Sequence, residues 1–218
     1  MGCNYLSGVV IPNSTTHIGE KSLGYNFVNS VNANEKFVIV GHSGSNAEEY
    51  AINNRMIFIP LYTETIRPKS KFENYGLSYG VVNNAAVVID CDKEAIEVDI
   101  DAFISKDEKE YPVRRILEFA FSNCNYLISV NIPDSIMEIG RKAFYNCGNL
   151  SNISIPKYVV NIESNVFSRC SSLENIDVFE KNFYFASENG ILYDIEKKRL
   201  IKYPEGRKEK EHIIKDGV

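Results

Sequence analysis

One spacing recurs along this chain and limits what it can become. Ile116, Ile139 and Ile162 are 23 residues apart, and so are Phe121, Phe144 and Phe167. Cys124, Cys147 and Cys170 keep the same step, as do Leu127, Leu150 and Leu173. Val130, Ile153 and Ile176 add a column, and Ile132, Ile155 and Val178 add another. Ile132-Pro133 is matched by Ile155-Pro156. A fixed period of this length marks stacked supersecondary units, none of which can bury its apolar side alone.

Within one unit, Leu127, Val130 and Ile132 end in Pro133. The alternation is that of a short strand with one buried face, and the proline ends it by removing a ladder donor. The segment Arg141–Asn146, carrying Ala143 and Phe144, is expected to be a helical turn that reverses the chain. Stacking such units predicts an α/β solenoid with short parallel strands about 4.8 Å apart. Cys3, Leu6, Val9, Ile11, Pro12 and Ile18 share the spacing of Cys124 to Ile139, so the chain opens inside a repeat. Ile214–Val218 aligns with Ile155–Val159, so it also stops inside one. The chain therefore reads as a piece of a longer array or a truncated gene product.

Several stretches resemble the BspA-type leucine-rich-repeat family. They are Ile139-Gly140-Arg141-Lys142-Ala143-Phe144-Tyr145-Asn146-Cys147-Gly148-Asn149-Leu150 and the following Ile153-Ser154-Ile155-Pro156. Asn189-Gly190-Ile191-Leu192-Tyr193-Asp194 with Leu200-Ile201-Lys202-Tyr203-Pro204 looks like the hairpin this family inserts between repeats. Tyr111-Pro112-Val113-Arg114-Arg115-Ile116 looks like its entry into the first full repeat, and Gly44–Ala51 like its closing segment. Ser22-Leu23 in place of Ala-Phe and Val166 in place of Ala are departures. The resemblance implies a leucine-rich-repeat solenoid, on the cell surface or secreted, that contacts host matrix proteins or other cells.

The expected organisation has two arrays. Residues 1-62 read as the final repeat and closing cap of one, with strands at Phe37–Val40 and Met56–Leu61. Ser45 with Glu48 has the pattern of a capping box before a helix. Residues 63-74 are polar, contain Pro68 and read as a linker. Residues 75-218 form the second array: a strand-rich N-terminal cap, regular repeats over 111-178, a hairpin insertion at 179-206 and a truncated last repeat.

Composition excludes several classes. With 24 Lys+Arg against 29 Asp+Glu the net charge is -5, which argues against a general nucleic-acid binder. No apolar run approaches a membrane span of about 18 residues, and no signal peptide is visible. Localisation thus rests on the resemblance alone. Asp90–Glu110 carries nine acidic and three basic residues, Ile195–Val218 eight basic and five acidic; both read as solvated faces. No Walker, dinucleotide or zinc-protease motif is present, so no cofactor or metal is expected.

Gly41-His42-Ser43-Gly44-Ser45 has the layout of a nucleophile elbow, which would make Ser43 a hydrolase nucleophile. The fifth position is Ser45 rather than Gly, and the one downstream histidine is His212, in a charged terminal stretch. The residues favour a turn, with Ser45 capping the helix. The cysteine columns are expected to be small buried thiols rather than disulfides or metal ligands, with Cys91 outside the register.

What remains is the strand face. Ser129 and Asn131, Asn152 and Ser154, and Asn175 and Asp177 lie between the buried positions and point outward. They predict two columns of short polar groups for a non-catalytic protein-binding or adhesion module. A structural spacer without a ligand is the alternative. Self-association through open repeat ends is expected as well.

Overall fold

The step of 23 residues is also a strand-pairing register in the computed structural model: Asn152 lies opposite Asn175, and Ile139 opposite Ile162. The structure describes residues 8–11, 14–23, 37–41, 45–54, 56–60, 71–82 and 84–209. The chain divides into two units, Met1–Arg67 and Pro68–Val218.

In the first unit, β1 (Gly8–Val10), β2 (Val38–Gly41) and β3 (Ile57–Pro60) form a parallel sheet in which Val9 pairs with Ile39 and Ile39 with Phe58. Helix α1 (Asn46–Asn53) turns Ala47, Tyr50 and Ala51 inward against Ile11, Phe37, Ile39 and Met56. Gly41 permits this packing, because a Cβ there would lie 2.7 Å from the Cβ of Ala47. Ser45 stands at the N-cap with extended backbone, and the expected capping box does not form: its side chain makes no cap hydrogen bond. Among the described residues the buried Oγ has no hydrogen-bond partner, and the first turn closes through the Glu49 N–H to the Ser45 carbonyl at 3.2 Å.

The second unit opens with β4 (Lys71–Asn74), β5 (Leu77–Val82), β6 (Ala85–Cys91), β7 (Glu97–Asp99), β8 (Phe103–Lys106) and β9 (Lys109–Ile116). Lys71–Asn74, read from sequence as the end of a linker, is thus an edge strand paired antiparallel with β5. The repeats supply β10 (Ser129–Asn131), β11 (Glu138–Ile139), β12 (Asn152–Ile155), β13 (Asn161–Ile162) and β14 (Asn175–Val178). An antiparallel trio follows: β15 (Phe185–Glu188), β16 (Ile191–Asp194) and β17 (Leu200–Lys202).

These strands make two rows. In the first, β7 pairs with β10 and β12 with β14, all in parallel, and β12 lies beside β10. The second is one sheet in the order β13-β11-β9-β6-β5-β4, with β8 paired to β9. Between the rows Phe121, Phe144 and Phe167 stack, with ring centroids 4.8 and 5.8 Å apart and planes inclined by 18°. Leu127, Leu150 and Leu173 are fully buried beside them.

The expected helical turn at Arg141–Asn146 is absent, and among the described residues α1 is the one helix. Amide directions give the reason. The N–H groups of Ala143 and Tyr145 donate within the turn, to Gly140 at 3.1 Å and Lys142 at 3.0 Å. Those of Lys142, Phe144 and Asn146 donate sideways to Ser164, Val166 and Ser168 of the next coil, at 3.2, 3.0 and 2.9 Å. A helix would direct every amide along its own axis. The alternation instead needs left-handed residues, and Phe119, Asn123, Lys142, Asn146, Asn165 and Arg169 have φ between 55° and 63°. Three of the six are asparagine, which enters this region more readily than other side chains.

Several hydrogen bonds fasten the trio to the repeats, among them that of the Ser187 Oγ to the Ile176 carbonyl at 2.7 Å. Asn189 and Gly190, with φ of 52° and 74°, form a two-residue turn whose Gly190 carbonyl accepts the Ile176 N–H at 2.9 Å. Asn182 is buried and satisfied on both sides: its amide donates to Pro156 and Val159 at 2.8 and 2.9 Å, and its oxygen accepts from Tyr184 and Phe185.

Candidate binding surface

Alternation along β12 sets one face. Ile153 and Ile155 point into the core, at 2% and 0% exposure, while Asn152 and Ser154 are exposed. The same division places Ser129 and Asn131 outward on β10, and Asp177 outward on β14, with Asn175 half-buried. Asn152 pairs with Asn175 and Ser154 with Asp177 in register. The Asn175 amide donates to the Asn152 Oδ1 at 3.0 Å, and the Asn152 amide donates to the Ser151 Oγ at 3.0 Å.

Two members of the surface escaped the sequence reading. Glu97 and Asp99 on β7 pair with Ser129 and Asn131, and both are exposed. The Ile128 N–H donates to Ile96 at 2.7 Å, and the Ile100 N–H to Asn131 at 3.1 Å, which holds β7 in place. The columns thus run over four strands and carry carboxylates at both ends and no lysine or arginine. Ile96, Tyr126 and Ile128 add exposed apolar area at 55%, 55% and 48% exposure. The strand signal at Ile96, Val98 and Ile100 was visible, but Glu97 lies 32 residues before Ser129 and so falls outside the period.

The cysteine column is core. Cys124, Cys147 and Cys170 are fully buried free thiols, and Cys91 is buried as well. The Cys147 and Cys170 thiols donate to the Phe121 and Phe144 carbonyls, each at 3.0 Å. Cys91, expected outside the register, ends the column instead: its sulfur and that of Cys124 approach the same Asp92 carbonyl, at 3.4 and 3.8 Å. The hydrogen bond with Cys124, and then burial, pushes the Cys91 thiol well above its ordinary range. The Lys93 ammonium lies 2.8 Å from Asp90 and 3.8 Å from the Cys124 sulfur.

The basic stretch after Ile195 is largely paired with nearby carboxylates. Lys197 meets Glu188 at 3.1 Å, Lys198 meets Glu196 at 2.8 Å, Lys202 meets Glu205 at 2.7 Å, and Arg207 meets Glu209 at 2.6 Å. Such exposed pairs contribute little to stability. Ser43, His212 and Cys3 lie outside the described residues. Among the described residues no group of three or more His, Cys, Asp or Glu is placed to hold a metal ion, and no helix is long and apolar enough to cross a membrane.

Residues 104–196 match the BspA type leucine rich repeat region in six copies. No curated protein matches the chain. Among solved structures, a leucine-rich repeat protein from Bacteroides ovatus ATCC 8483 is 28% identical over 48% of this chain and 28% of its own, with a TM-score of 0.46. One from Bacteroides capillosus ATCC 29799 is 22% identical over 51% of this chain and 99% of its own, with a TM-score of 0.41. A leucine rich cell surface protein from Faecalibacterium prausnitzii A2-165 is 19% identical over 71% of this chain and 66% of its own, with a TM-score of 0.36. Residues 104–196, whose 23-residue columns match the strand register, are thus a BspA-type leucine-rich-repeat region.

Proposed function

We propose that this chain is a non-catalytic binding module that takes a protein partner on the outward face of β7, β10, β12 and β14. The observation that supports this most directly is the set of short, exposed polar side chains, Glu97, Asp99, Ser129, Asn131, Asn152, Ser154 and Asp177, with exposed Ile96 and Ile128 at its margin. Short side chains allow close approach, and stacked repeats commonly bind through such extended surfaces. The finer reading is an α/β solenoid of the leucine-rich-repeat type, carried on a cell surface or secreted. Its partner is a matrix protein or another cell, and self-association proceeds through open strand edges. The family supports that reading.

Surface plasmon resonance over a panel of immobilised matrix proteins tests it. Asn152→Arg and Asp99→Arg should each weaken whichever interaction is found. A binder indifferent to both changes removes the strand face from consideration. Binding to no member of the panel favours a spacer. A fluorophosphonate probe that labels the chain stoichiometrically, and no longer labels Ser43→Ala, overturns the non-catalytic reading.

A further inference from the structure

Along the second row each isoleucine of the Ile116 column hands its carbonyl to the next coil. The Ile116 carbonyl accepts from Gly140 at 2.8 Å, and the Ile139 carbonyl accepts from Glu163 at 3.0 Å. Ile162 holds the same place one coil on, but β13 ends its sheet. In the repeat register the next residue of this column is Phe185. Its side chain does fill the core, at 7% exposure, while its backbone is drawn into antiparallel pairing with Asp194. The hairpin has taken away the strand that would have covered β13.

A groove of about 500 Å³ occupies that position, which is within the range of ligand sites. One side is the edge from Val160 to Asn165; the other is Tyr184, Phe185, Leu200 and Ile201, with Arg199 beside them. Glu163, the one acid in the lining, is already engaged by Arg115 at 2.9 Å and by the Arg141 N–H at 2.9 Å. Arg199 is exposed and, among the described residues, its guanidinium has no carboxylate partner, unlike Lys197, Lys198, Lys202 and Arg207 around it. The Asp194 carboxylate accepts the Arg199 backbone N–H at 3.1 Å but does not engage its guanidinium. The groove therefore offers a strand edge, an apolar wall and, among the described residues, a guanidinium without a carboxylate partner.

We propose that this groove docks an extended acidic peptide segment, which adds a strand at β13 and sets a carboxylate against Arg199. Main-chain hydrogen bonds to an open edge supply affinity independent of side chains, while alternate side chains meet the wall and provide selectivity. A charge-assisted pair with the arginine fork then favours glutamate or aspartate in that segment. This site is separate from the outward face of β7, β10, β12 and β14, and does not depend on it.

The test is an amide-resolved NMR titration of the full chain with three blocked heptapeptides. One alternates valine with glutamate, the second valine with lysine, and the third is the glutamate peptide N-methylated at alternate amides. The glutamate peptide should shift Ile162 and Leu200 and slow hydrogen exchange along the β13 edge. The lysine peptide should bind about tenfold or more weakly, and the N-methylated one should not bind. Arg199→Gln should erase the preference between glutamate and lysine, and Arg199→Glu should invert it. Asn152→Arg should change none of this, which separates the groove from the strand face. Absence of any shift at Ile162 up to peptide concentrations on the order of 1 mM overturns the proposal. So does equal binding of the N-methylated peptide, or an acidic preference that survives Arg199→Glu.

Discussion

The side-chain amide of Asn175 donates to the side-chain oxygen of Asn152 across 3.0 Å, one full coil apart. The bond orders the centre of the outward face while leaving Asn152 exposed. Asn152→Arg should therefore lose the acceptor of this exposed hydrogen bond, and the amide that donates to the Ser151 Oγ, and cost about 0.5–1 kcal/mol in unfolding free energy. If the outward face binds as proposed, the larger effect of Asn152→Arg should be on binding, because a long cation then stands in the way of close approach. Asp99 lies on the same face, opposite Asn131. Asp99→Arg should weaken the same ligand, and competition measurements should report one site. Two ligands, each sensitive to one change alone, would divide the face into separate sites.

Successive repeats approach closely at Gly140. A Cβ there would lie 2.6 Å from the Glu118 nitrogen and 2.8 Å from the Leu117 carbonyl carbon, and neither backbone atom can yield cheaply. Gly140→Ala should cost about 1–3 kcal/mol as overpacking. At Gly148 the nearest atom to a built Cβ is the Ser171 Oγ at 3.8 Å, so Gly148→Ala should stay within about 0.5 kcal/mol. Denaturation midpoints that fall equally for the two variants would contradict this packing of the coils.

How far the sequence could be read depends on which contacts obey the period. Leu127, Leu150 and Leu173 repeat because each fills the same core one repeat on, so the core columns and the β12–β14 register were legible. Cys91 belongs to the cysteine column but stands 33 residues before Cys124, because the β8–β9 pair adds chain between them. The same extra length hid Glu97 and Asp99. Glu138–Ile139 makes a strand too short for alternation to reveal. The turn at Arg141–Asn146 was misread because Ala143 and Phe144 suit a helix, whereas the sideways amide bonds depend on a neighbouring coil that local propensity does not register.

The cysteine column makes a prediction about volume and donors together. Cys147 is fully buried, and its thiol donates to the Phe121 carbonyl. Serine can keep that bond but fills less space, so Cys147→Ser should cost about 1–2 kcal/mol. Cys147→Ala loses the donor as well and should cost more than serine. All four described thiols should alkylate slowly in the folded chain and rapidly in denaturant. A midpoint unmoved by either substitution would place Cys147 outside the core.

Glu138 carries the pH dependence. Its side chain is buried, with Oε2 3.3 Å from the Arg115 Nε, while Arg115 also reaches Glu163 at 2.9 Å. Burial pushes its carboxyl up to about 7; Arg115 pulls it down and Glu163 pushes it up, neither enough to offset burial. The unfolded carboxyl titrates near its ordinary value of 4.5. Between those values the folded chain holds the proton that the unfolded chain has released, so stability falls as pH rises through this window. The full cost, about 3 kcal/mol at most, is reached above pH 7. Glu138→Gln should remove this slope, and Arg115 keeps Glu163 as its partner in that variant. Urea midpoints compared at about pH 5 and about pH 7.5 should then differ less for Glu138→Gln than for the parent chain. Parallel midpoint curves for the two proteins would show that Glu138 ionises without hindrance and that its burial is not maintained in solution.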